Sequence, residues 1–165
     1  MFELKPIHKD ALSQALEKAH HYRLLNEPGE AESICLDVLD VEPENQDALV
    51  TLLLALTDRF SKGYSVGVTK AKEVLPHIKG DYQRAYYAGI ICERQAKARL
   101  SQGGPGSGHD AYGYLREAMS HFETAEACRP EGNDDSILRW NACARIIMRN
   151  NLTPRPVDTG EPYLE

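Results

Sequence analysis

The strongest constraint on this chain is a spacing that occurs in it twice. Val38, Cys35 and Ala31 stand five, eight and twelve positions before Pro43, and Leu53 and Leu56 stand ten and thirteen after it. Pro130 carries the same five offsets, with Ala125, Phe122 and Ala118 before it and Trp140 and Cys143 after. Apolar or small residues three and four apart share one face of an α-helix, and a proline beyond such a run ends it. Each copy therefore reads as a helix, a proline-marked turn and a second helix. The chain is built of repeats.

The front helices keep the same step. Ala19, Leu53, Gly89 and Trp140 are separated by 34, 36 and 51 residues, and Tyr22, Leu56, Cys92 and Cys143 by the same intervals. The last interval is one period of 34 plus a 17-residue insertion. Gly67, Ala71 and Val74 occupy the back-helix positions of the middle repeat, with Lys79 where the proline would stand. On these residues the chain resembles the tetratricopeptide-repeat family, whose helix–turn–helix unit recurs about every 34 residues. The resemblance covers residues 7 to 149. It departs in the middle repeat, which lacks the proline and lengthens its turn at Asp58 to Val66, and at Leu53 and Trp140, which are bulky where the family favours a small residue.

The fold class implied is all-α: an α-α superhelix of three helix hairpins plus a C-terminal capping helix, over residues 1–150. In order, the patterns predict helices over 7–26, 28–41 and 44–60, a loop at Ser61 to Ser65, and a fourth helix to residue 78 that Pro76 frays or kinks. A long fifth helix runs from Asp81 to Gly103, a sixth follows Asp110 as its N-cap, and a seventh follows a cap at 133–135. The insertion lengthens both arms of the third hairpin by about two turns, so that hairpin is predicted to project beyond the others. The tail, 151–165, holds three prolines and is predicted to be extended or disordered.

Composition narrows the partners. The formal net charge is −6 and the pI about 5.5, with Lys and Arg scattered rather than striped. That argues against nucleic acid and against a polybasic membrane surface. The N-terminus lacks the apolar stretch of a signal peptide, and no run approaches the roughly 18 apolar residues of a spanning helix. Cys35, Cys92, Cys128 and Cys143 show no C-x-x-C spacing, and three of them fall on inferred packing faces. A reduced, cytoplasmic chain is expected.

Motifs for chemistry are few. Gly103 and Gly108 match the G-x-x-x-x-G of a phosphate loop, but His109 and Asp110 follow where Lys and Ser or Thr are needed. The segment reads as a helix connector. Histidines 8, 20, 21, 77, 109 and 121 form neither H-E-x-x-H nor an i, i+4 pair, so neither a metal site nor a cofactor is expected. No motif sets a nucleophile beside a base, and an enzymatic or metal role through His20 or His109 ranks last.

The resemblance places function in a groove lined by every second helix. Its lining is expected at Leu16, His20 and Arg23, then Val50, Leu54 and Thr57, then Tyr86, Ile90 and Glu93, then Ile137 and Asn141. The apolar members form a strip suited to a helix or extended peptide. Some family members clamp a peptide carboxylate with Lys, Asn and Arg. Leu16, His20, Thr51, Gln83 and Tyr87 stand at the matching positions, so that clamp is absent. Arg23, Arg84 and Arg94 remain as anchors for acidic groups. The expectation is an adaptor or scaffold that binds another protein. The alternative is a self-associating structural protein whose groove takes a second copy or its own tail, with Tyr163 and Leu164 as occupants.

Overall fold

The computed structural model describes residues 1–62, 64–158 and 160, with the backbone alone at 64–66. Among these residues there are seven α-helices and no strand: α1 (Leu12–Leu24), α2 (Pro28–Val41), α3 (Gln46–Thr57), α4 (Tyr64–Val74), α5 (Asp81–Gln102), α6 (Ser107–Ala127) and α7 (Asp135–Arg149). None is long and apolar enough to cross a membrane.

Local chemistry sets most boundaries. Pro28 opens α2, where its missing N–H costs nothing and its fixed φ is already helical. Asn45 caps α3, its side-chain oxygen accepting the Ala48 N–H at 2.9 Å. Pro76 does more than fray the fourth helix: α4 stops at Val74 and Leu75–His77 tightens into a 3-10 turn. Gly80 and Gly103 bracket α5 with φ of +94° and +68°, a region that L side chains avoid. Before α7, the Asn133 Oδ1 accepts both the Asp135 N–H at 3.0 Å and the Tyr82 hydroxyl at 3.2 Å, which ties the entry of α7 to α5.

Other boundaries differ from the sequence reading, α3 among them, which spans Gln46–Thr57 rather than 44–60. The first helix begins at Leu12 after a 3-10 turn at Lys9–Ala11. The expected loop at Ser61 to Ser65 is instead a 3-10 turn, Phe60–Lys62, followed by α4 from Tyr64; residue 63 lies outside the described residues. Burial of Phe60, 1% exposed, pulls that turn against the core. The sixth helix starts three residues before Asp110, because Gly106 turns the chain in the left-handed region. Asp110 is thus a first-turn carboxylate rather than a cap, facing Arg99 at 3.0 Å and Arg155.

Each helix packs on the next, and α3 also touches both α1 and α5. The repeat positions take equivalent roles in this stack. Ala31, Cys35 and Val38 on α2 are wholly covered, as are their counterparts Ala118, Phe122 and Ala125 on α6. Ala19 and Leu53 are likewise covered, and Gly89 is buried against Phe122. Trp140, the fourth rung, is only half-buried and donates its indole N–H to Glu123 at 3.0 Å. Among the described residues no further helix follows α7 to cover it.

The core divides into three parts. One joins α1 to α4 with Ile91 and Ala98 of α5; a second joins α5, α6 and α7; a small third gathers Leu12, Leu16, Val38 and Ala48. Leu54 and Tyr87 pack against both of the larger parts. The long hairpin does not stand free at its tip. Leu152 packs into the α5–α7 cluster, the Thr153 carbonyl lies 2.9 Å from His109 Nδ1, and Arg155 reaches Asp110. Residues 152–158 form neither helix nor strand, and Leu152, Thr153 and Arg155 fasten the start of the tail to the hairpin.

Candidate docking face of the odd-numbered helices

The lateral contacts among α1, α3 and α5 put three charged side chains in a row. Arg23, in the last turn of α1, donates to Asp58 through Nε at 2.8 Å and Nη2 at 3.3 Å. Asp58 ends α3. From its other side Arg94 of α5 donates through Nη1 at 3.3 Å. The three side chains are between 18% and 30% exposed, so the pairs are half-screened rather than surface ornaments. Two guanidiniums share one carboxylate, which leaves an excess positive charge. Arg94 Nε is also buried without an acceptor. An open pocket of about 230 Å³ lies beside the row, lined by Arg23, Leu24, Asn26, Asp58 and Arg94.

Further along the face, His20 is exposed and its Nε2 lies 2.9 Å from Asp47 of α3. Val50 and Leu54 are half-buried. On α5, Tyr86 stacks on Tyr82 with ring centres 5.9 Å apart and meets Tyr87 edge-on at 5.1 Å and Phe122 at 5.8 Å. Ile137 and Asn141 of α7 are half-buried.

Four residues expected on the open face are covered instead. Leu16 and Ile90, 7% and 2% exposed, sit inside the apolar clusters, and Thr57 turns its hydroxyl back to the Leu54 carbonyl at 2.7 Å. Glu93 is fully buried, paired with Lys97 at 3.4 Å and Arg139 at 3.5 Å, with the Cys143 thiol 3.7 Å away. A carboxylate so enclosed needs cationic partners, and α7 supplies one. Desolvation opposes the charge on Arg139, but the neighbouring Glu93 and Tyr86 outweigh it and raise its pKa. Arg84 is spent locally, bonded to the Ile78 carbonyl and to Asp81 at the start of α5.

The strip expected from spacing therefore reduces to His20, Arg23, Val50, Leu54 and Tyr86, with Ile137 and Asn141 at the α7 end. Asp58, which joins the two arginines, was read only as the start of a long turn. It lies 36 residues before Arg94, one of the chain's own steps, but one position past Thr57, the repeat counterpart of Arg23. The repeat phase therefore links Asp58 to Arg94 and misses its pairing with Arg23. The proposed tail occupants Tyr163 and Leu164 lie outside the described residues, and residues 152 to 155 sit at the α5–α6 turn.

The thiols expected on packing faces are there. Cys35, Cys92 and Cys143 are buried, and burial pushes each of them up to about 12; Cys128 is exposed. Protonated thiols of this kind are poor nucleophiles. No family model matches the chain, and no curated protein or solved structure matches it.

Proposed function

We propose that this chain is an interaction adaptor of the tetratricopeptide-repeat kind, taking an acidic peptide or helix of a partner protein across α1, α3 and α5. The observation that carries the reading is the row Arg23–Asp58–Arg94, two guanidiniums on one carboxylate lining an open pocket. A planar guanidinium fork suits a carboxylate better than a lysine would. Half-buried Val50, Leu54 and Tyr86 on the same helices would supply apolar contact, the usual complement for a peptide anchored by a few side chains.

The test is a selection of displayed peptides on the intact chain. Enrichment of sequences that place Asp or Glu near an apolar residue is expected. Binding of those peptides should fall at least tenfold in the Arg23→Gln/Arg94→Gln variant, with circular dichroism unchanged. Peptides without an acidic residue, or affinity that the double variant preserves, would overturn the reading.

A further inference from the structure

Cys92 and Arg94 are two residues apart on α5 and so point about 200° from each other around the helix. On the Cys92 side, α6 presents Glu117 and His121, spaced i, i+4 and hence on one face. One ligand atom from each of Cys92, Glu117 and His121 lies within 4.8 Å of the other two, and His121 Nε2 stands 4.0 Å from Glu117 Oε1. The sulfur is buried, at 5% residue exposure, whereas the His121 and Glu117 side chains are 39% and 60% exposed. The cluster therefore has a closed floor and an open mouth.

We propose that Cys92, Glu117 and His121 form a zinc site that pins α5 to α6, with the fourth coordination position open to water. Thiolate, imidazole and carboxylate are the donors this borderline-soft ion takes. Ligand atoms around a tetrahedral zinc stand about 3.5 Å apart, so the three side chains close by about 1 Å, within the reach of small rotamer changes at the two exposed members. Coordination replaces the thiol S–H bond with a zinc–sulfur bond and releases the proton to water. Without an ion the thiol stays protonated, held so by burial and by the Glu117 carboxylate to which it hydrogen-bonds. Zinc reverses the sign of that environment, because Glu117 then becomes a ligand. Lys72 of α4 lies near enough to favour the thiolate, and it opposes the approaching cation. The site is independent of the docking face.

Titration of the reduced, full-length chain with Co2+ tests the proposal directly. One equivalent should give a thiolate-to-cobalt charge-transfer band that one equivalent of Zn2+ then displaces. Cys92→Ser should abolish the band, while Glu117→Gln and His121→Asn, at exposed positions that leave the packing intact, should each weaken binding at least tenfold. Cys128→Ser should leave it unchanged. Zinc should also raise the thermal midpoint of the native sequence and not that of His121→Asn. Absence of the band at millimolar Co2+, its loss in Cys128→Ser, or full affinity in both Glu117→Gln and His121→Asn would overturn the assignment.

Discussion

Gly89 shows how a single atom decides an approach between helices. A Cβ at this position would stand 2.5 to 2.8 Å from three carbons of the Phe122 ring. That ring is wholly buried, so it cannot swing aside as an exposed side chain would. Gly89→Ala gains up to about 1 kcal/mol of helix propensity, against about 1–3 kcal/mol of overpacking. The net should be a loss, read as a lower urea midpoint with an unchanged slope. At Gly113, also mid-helix, a Cβ meets nothing within 4 Å, so Gly113→Ala should stabilise by up to about 1 kcal/mol. The sequence made Gly89 legible because its phase matched Ala19 and Leu53. It did not make Glu93 legible. Helical spacing says which face a residue occupies, not whether a neighbour such as Arg139 stands ready to neutralise it there. Leu16 and Ile90 were misread for a related reason: a stacked helix meets neighbours on more than one side, so its buried arc is wider than one apolar stripe.

At the level of elements, the α5–α6 turn and the tail are joined through one carboxylate. Hydrogen bonds from Arg99 and Arg155 hold Asp110 below the usual carboxylate range. A depressed folded-state pKa contributes stability that is complete above the unfolded value of about 3.9, and that is lost as pH falls through the lower folded value. The strap should therefore hold throughout the neutral range and loosen only in strong acid. Asp110→Asn should loosen it at neutral pH, seen as faster amide exchange at Leu152, whose N–H is bonded to the Ile147 carbonyl, with α2 unaffected. Existence and order of the helices were readable from the sequence, since α2 and α5 end where Pro and Gly dictate. The start of α6 was not. Asp110 has the chemistry of a cap, and only the backbone turn at Gly106 assigns it another task. The cluster of Cys92, Glu117 and His121 was hidden similarly. Spacing exposes donor pairs on one helix, whereas Cys92 comes from the facing one.

Across the whole molecule, the two large clusters meet through Leu54 and Tyr87. Stacked arrays draw cooperativity from such interfaces between neighbours. Leu54→Ala should cost about 2 kcal/mol and also separate two transitions. Fluorescence of Trp140, the single tryptophan, reports the α5–α7 part, while far-ultraviolet circular dichroism reports every helix. The two probes should coincide in urea for the native sequence and diverge for the variant; coincidence in both would show that the junction does not couple the halves.

The row of charges across α1, α3 and α5 carries one more implication. Its two guanidiniums share one resident acid, so on the proposed reading a visiting acid would take the unbalanced charge and compete with Asp58 for Arg94. Were Arg94 to turn toward such a newcomer, its bond to the end of α3 would be lost, leaving the packing at Leu54 to hold α3 and α5 together. Occupancy and stiffness would then be opposite sides of one equilibrium, and whatever stiffens the junction would also set how readily a guest is admitted.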